Sequence, residues 1–133
     1  MYLPDHEAYK RHEVERQKAT RESSRKALEY ARLQDAKVVD FMRAAEVVIA
    51  DSQYDESEYP ERLGWGHTCA DDTVQLALRA GAKQLLLFHH DPDHHDRKIA
   101  DMVARAHGKV TQSGAALKVA AACEGTEVVL KPA

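Results

Sequence analysis

Apolar residues in this chain fall into short blocks separated by polar stretches, and the spacing inside each block predicts its element. Val47-Val48-Ile49-Ala50 and Leu85-Leu86-Leu87-Phe88 are continuously apolar, the pattern of strands buried on both faces. Around them the period lengthens. Val38, Phe41, Met42 and Ala45 repeat at i, i+3, i+4, i+7, which predicts an amphipathic helix. Val74, Ala77 and Leu78 supply the stripe of another, with Thr68 and Asp71 at capping-box spacing before it and Gly81 as its stop. Ile99, Met102, Val103 and Ala106 form the inward face of a further helix that Asp96 can cap. Upstream, Lys10 to Gln34 contains no Gly or Pro, is rich in helix formers, and has a weak apolar stripe at Ala27, Leu28 and Ala31. Tyr2 and Leu3, closed by Pro4, read as the end of a short strand. The polar stretch from Asp51 to Cys69, with Pro60, Gly64 and Gly66, reads as a long loop carrying one helical turn. Two closing strands are expected at Leu117 to Ala121 and Thr126 to Leu130, turning at Glu124-Gly125.

Buried strands alternating with helices imply an α/β architecture whose first strands are parallel. The 133 residues suit one domain. Composition changes this picture little. Much of the apolar 44% is alanine, so the core should be thin for the chain length. The net charge of −3 gives no bulk reason to bind nucleic acid. Locally, Lys10 to Lys26 carries seven basic and three acidic side chains, which reads as a solvated helix face before it reads as a phosphate-binding one. Two cysteines, Cys69 and Cys123, make no disulfide framework. With no leader pattern and no apolar run of spanning length, a cytoplasmic protein without a membrane partner is expected.

Functional groups in α/β folds gather beyond the carboxyl ends of the strands. Here those ends carry Asp5, Asp51 and His89-His90, and His67 opens the loop into a helix. Carboxylates and imidazoles are the donors that suit zinc, manganese or iron. Read singly, each has a bland alternative: a turn residue at Asp5, a helix-terminus group at His67, a satisfied buried histidine at His89. The octet from His89 to Asp96 holds four histidines and three aspartates, yet consecutive histidines point apart, so at most one of each pair can reach a given ion.

Asp51-Ser52-Gln53-Tyr54, Gly64-Trp65-Gly66-His67-Thr68 and Leu87-Phe88-His89-His90-Asp91-Pro92 resemble successive C-terminal motifs of the metallo-β-lactamase-fold hydrolases. The nearest look is that of the ribonuclease Z-like and phosphodiesterase-like branch. Tyr2-Leu3-Pro4-Asp5-His6-Glu7 is similar to the strand-end motif that presents a bridging aspartate there. The resemblance implies half of an αββα sandwich, a mixed sheet flanked by helices, with residues 8–45 as a helical insertion. It further implies that Asp5 and His89 ligate metal, zinc or else manganese or iron, dinuclear in a completed site. His67 would protonate a leaving-group oxygen, with Asp51 orienting its imidazole, in phosphodiester or related ester hydrolysis.

One departure bears on all of this. The His-x-His-x-Asp-His segment of that family is absent, and two protein ligands fall short of the three that a catalytic zinc normally has. The chain alone is therefore expected to hold metal weakly and to be inactive until a homo-oligomer or a complementary N-terminal half completes it. A bare apolar sheet face would mark that interface. The competing reading is a non-catalytic interaction or assembly module that keeps the half-fold. A third is an RNA-binding accessory using the Lys10 to Lys26 helix, tested by neutralising Arg16, Lys18 and Arg21; otherwise nucleic acid enters only as substrate.

Overall fold

The computed structural model describes residues 1–9 and 21–130, with side chains in the long first helix described from Arg25 onward. Most of the basic run from Lys10 to Lys26 therefore lies outside the described residues. In chain order the elements are β1 (Tyr2–Leu3), α1 (Arg21–Met42), β2 (Val48–Asp51), α2 (Tyr59–Arg62), α3 (Ala70–Ala80), β3 (Gln84–Phe88), α4 (Asp96–Ser113) and β4 (Lys118–Ala121). The strands form one sheet in the order β1-β2-β3-β4, and every pairing is parallel. Its register aligns Leu3 with Ala50, Ala50 with Leu87, and Leu87 with Ala121. The α/β reading holds.

Val48, Leu85 and Leu87 are completely buried. They share one core with Val74 and Ala77 of α3, Val39 and Met42 of α1, Ala106 and Val110 of α4, and Val119 of β4. Truncating Leu85 or Leu87 to alanine would leave a cavity worth about 2–5 kcal/mol. Helix α3 lies on β2 and β3, and both α1 and α4 pack against it. Its end follows from Gly81, which takes a left-handed φ of 64° and turns its amide back to Ala77 and Leu78, a backbone state that costs other residues more. On the other side of the sheet, the row Tyr2, Ile49, Leu86, Ala120 runs from exposed Tyr2 through half-buried Ile49 to exposed Ala120.

Several local expectations are corrected. The sheet is parallel rather than mixed. The Glu124-Gly125 turn forms, closed by the Thr126 amide on Cys123 O, but residues 126–130 join no strand and Val129 is 85% exposed. Val128, Val129 and Leu130 line a cavity with Ala116, Leu117 and Lys118 and do not pair with the free edge of β4. Residues 10–20 of the first expected helix lie outside the described residues; among the described ones, one helix over Arg21–Met42 runs through the break expected before the second. Its buried stripe is Ala27, Ala31, Asp35, Val39 and Met42, and Phe41 points to solvent at 59% exposure. The four-residue period from Ala27 sets that face, and Phe41 lies off it. At α3 the N-cap is Cys69 and no side chain caps it, because the Thr68 hydroxyl donates to the His6 carbonyl instead. At α4 the cap is His95, whose Nδ1 accepts from the Lys98 amide at 3.2 Å, and Asp96 is the first helical residue. No helix among the described residues is long and apolar enough to cross a membrane.

Candidate metal centre

A parallel sheet puts all its strand ends of one polarity on one edge. Asp51 ends β2, the strand between β1 and β3, so it stands between the residues that follow those neighbours. Asp5 lies two residues beyond β1 and His89 one residue beyond β3. Both take left-handed backbone, with φ of 44° and 60°. For side-chain-bearing residues that conformation is uncommon and stores about 1–3 kcal/mol. Only one other described non-glycine residue, Ala44 after α1, has positive φ. His67 comes from the loop before α3. Asp5, Asp51, His67 and His89 converge, with one donor atom from each lying within 4.8 Å of all the others.

Asp51 is the hub. Its side chain is fully buried. Oδ1 accepts the amides of Thr68 at 3.1 Å and Gln53 at 3.2 Å. Oδ2 faces His67 Nδ1 at 2.7 Å and His89 Nδ1 at 3.1 Å. The backbone carbonyl accepts the Thr73 hydroxyl at 2.7 Å. Among the described residues no lysine or arginine pairs with it, so its charge is met by imidazoles and peptide dipoles alone. An ionised carboxylate accepts only, so each facing Nδ1 carries a proton and each Nε2 is left to ligate or to exchange protons. Asp5 closes the fourth side, its Oδ1 at 3.2 Å from His89 Nδ1 and 3.9 Å from His67 Nδ1.

Both imidazoles are held from the side. Their rings meet edge-on at 4.8 Å, and the Tyr54 ring presents an edge to His67 at 6.3 Å. Tyr54 is itself buried and bridged to Cys69. Burial pushes its hydroxyl pKa up, the Asp91 carboxylate adds to that, and Arg62 opposes it. Neighbouring His6 has its pKa lowered by burial against the opposing pull of Asp35, Asp51 and Glu7.

The histidine-rich octet divides its labour. His89 alone joins the cluster. His90 is half-buried, and burial lowers its pKa, with the neighbouring His94 and His89 adding and the Leu87 carbonyl opposing. His94 is nearly fully buried and bonds Glu58 through Nε2 at 2.8 Å. Asp91 accepts the Asp93 amide at 2.9 Å and the Gln53 side-chain amide at 3.3 Å. A second acidic group, Glu56, Cys69 and Asp71, also clusters, but Arg105 and Lys109 neutralise Asp71.

The donor set fits a divalent ion. Two imidazoles and two carboxylates are donors that zinc, manganese and iron accept, and one donor atom from each lies within 4.8 Å of the others. A buried carboxylate without a permanent cation is also the electrostatic setting that an ion would relieve. Glu7 was not among the residues singled out in the sequence, yet its carboxylate accepts the Tyr59 hydroxyl and the Gly64 and Gly66 amides. Only its place two residues after Asp5 hinted at it.

Comparison with known proteins adds one partial likeness. A 56-residue stretch is 36% identical to ribonuclease Z of Thermoplasma volcanium, covering 42% of this chain and 18% of that protein. The chain thus matches under a fifth of that relative's length. No protein-family model matches the chain, and no solved structure matches it.

Proposed function

We propose that this chain carries a metal-dependent hydrolase site of the metallo-β-lactamase type, built on Asp5, Asp51, His67 and His89. The convergence of these four, from three adjacent strand ends and one loop, on a single buried carboxylate carries the reading. The likeness to a ribonuclease over part of the chain supports it. Phosphodiesters or related esters are the proposed substrates.

In this reading Asp5 and His89 hold the ion, which when bound would supply Lewis acidity toward the scissile group. Asp51 fixes the Nδ1–H tautomer of His67 and so leaves its Nε2 as the nitrogen open to a substrate. That nitrogen is then placed to hold a proton for the departing oxygen. Asp51 fixes the same tautomer of His89, as carboxylates behind metal-bound histidines do. Additional ligands are needed for a complete site, and the proposed source is a second copy or a complementary N-terminal half. Exposed Tyr2 and Ala120 flank half-buried Ile49 and buried Leu86 on the second sheet face, so its two margins are open to such a partner.

A second reading is a non-catalytic assembly module. The observation favouring it is that the same 2.7 and 3.1 Å contacts are ordinary hydrogen bonds, so the cluster is satisfied without an ion. Calorimetric titration of the full chain with zinc and with manganese separates the two. Saturable uptake, even if weak, that disappears in Asp5→Asn and His89→Ala supports the hydrolase site, with hydrolysis of bis(p-nitrophenyl) phosphate expected only once a partner supplies the additional ligands. Wild-type protein that takes up neither metal points to the module.

A further inference from the structure

His67 sits in a loop, not at the end of a strand, so something must aim it. On its C-terminal side the Thr68 amide is held by Asp51 Oδ1, and the Thr68 hydroxyl donates to the His6 carbonyl. On its N-terminal side the loop reaches the cluster through Gly64-Trp65-Gly66. Both glycines take left-handed φ, 83° and 88°, which other residues adopt only under strain. Alternating handedness of this kind turns backbone amides toward one point and forms a concavity that binds anions. The anion here belongs to the chain. Glu7 Oε1 accepts from the Gly64 amide at 2.8 Å and the Tyr59 hydroxyl at 2.9 Å, and Oε2 accepts from the Gly66 amide at 3.1 Å.

We propose that Glu7 is the positioning residue of His67, its carboxylate seated in the Gly64–Gly66 concavity so that the loop holds the imidazole against Asp51. The inference rests on the hydrolase reading only for what the positioned histidine then does. Three features support the coupling. First, the amide of the residue just before His67 ends on Glu7 and that of the residue just after it ends on Asp51, so both flanks of the histidine are fixed. Secondly, the tripeptide Asp5-His6-Glu7 places Asp5 in the cluster, the His6 carbonyl on Thr68 and Glu7 in the loop, so one segment sets the distance between Asp5 and His67. Thirdly, Tyr59 is fully buried at the start of α2, which gives the clamp a rigid wall. Glu7 touches none of the four cluster residues by hydrogen bond among the described contacts; it acts through the backbone.

The test compares wild type, Glu7→Gln and Glu7→Ala by nuclear magnetic resonance on the full chain without metal. Two quantities are read: amide exchange at Gly64 and Gly66, and exchange of the His67 Nδ1–H proton that Asp51 holds. In Glu7→Ala both should accelerate roughly tenfold or more, the effect of losing local hydrogen bonds of ordinary strength. Amides of Leu85 to Leu87 should stay protected. Glu7→Gln, which keeps a carbonyl acceptor but turns an NH2 toward the second amide, should fall between. Faster glycine exchange with a His67 proton still protected as in wild type would overturn the proposal, as would no change at either place. Should Glu7→Ala lose protection in β3 as well, Glu7→Gln decides by the same two readings. Zinc titration of wild type is scored separately, so loss of the hydrolase reading would not be mistaken for loss of the clamp.

Discussion

Two buried carboxylates, Asp51 at the end of β2 and Asp71 in the first turn of α3, show how differently a protein can meet the same problem. Asp51 and Asp71 are 1% and 5% exposed, and both lie in a cluster of potential ligands. Asp71 is held by permanent cations: Arg105 Nε at 3.0 Å and Lys109 Nζ at 3.2 Å. Asp51 is held by two imidazoles and two amides. A carboxylate paired with arginine and lysine has its charge balanced by permanent cations and offers little to an ion. One that faces histidines can exchange protons or give its partners to a metal. The neighbours, more than the burial, decide whether a buried acid is structural or chemical.

The comparison can be broken at its strongest point. Asp51→Ala strands the Thr68 and Gln53 amides and the His67 Nδ1–H, leaving His89 to Asp5 alone, and should cost about 3–5 kcal/mol in urea unfolding. A loss below about 1 kcal/mol would mean that the hub is not holding the sheet edge together. Next in size is the response to metal. Zinc at a hundred times its dissociation constant should raise the stability of wild type by about 2.7 kcal/mol. The same zinc should do much less for Asp51→Asn. Equal responses would remove Asp51 from the site.

The other hub sharpens the contrast. Asp71→Ala should cost about 1–2 kcal/mol, less than Asp51→Ala, because the Arg105 side chain it abandons is already 56% exposed and can turn to water. Its zinc response should match wild type. The smallest effect belongs to Asp55 and Lys98, a partly exposed copy of the Asp71 arrangement. Burial alone would raise the Asp55 pKa, but the Lys98 ammonium, with Ser57 and the Glu58 amide, holds it well below its usual 3.8. A depressed acid stabilises the fold above its unfolded pKa, and that contribution fades as pH falls through the folded value. Lys98→Met should therefore cost less than about 1 kcal/mol at pH 7, given the partial exposure of the pair. Its difference from wild type should shrink once the pH drops below 3.8, as followed by urea unfolding at several pH values.

The sequence made the central strands legible because a run such as Leu85-Leu86-Leu87-Phe88 has few ways to hide its side chains outside a sheet. It also exposed the stop at Gly81 and marked Asp5, Asp51, His67 and His89 as polar groups at element ends. It misled where a local pattern competed with a distant partner. Thr68 has the spacing of a cap, but its hydroxyl went to His6, sixty-two residues away in sequence. Phe41 fits a helical period, yet the face chosen by Ala27 and Ala31 left it in water. Thr126 to Leu130 has strand composition, yet it makes no ladder with the free edge of β4.

What the chain determined by itself is most of the inventory: the buried strands around Val48 and Leu85, the helices that follow them, and the acids and imidazoles at their ends. Tertiary structure alone decided the grouping, namely that one carboxylate oxygen serves two histidines from different loops, and that Glu7 fills a concavity nearly sixty residues downstream. Periodicity is a local property, fixed by the backbone repeat. Convergence depends on strand order and register, which are set only when the whole sheet closes.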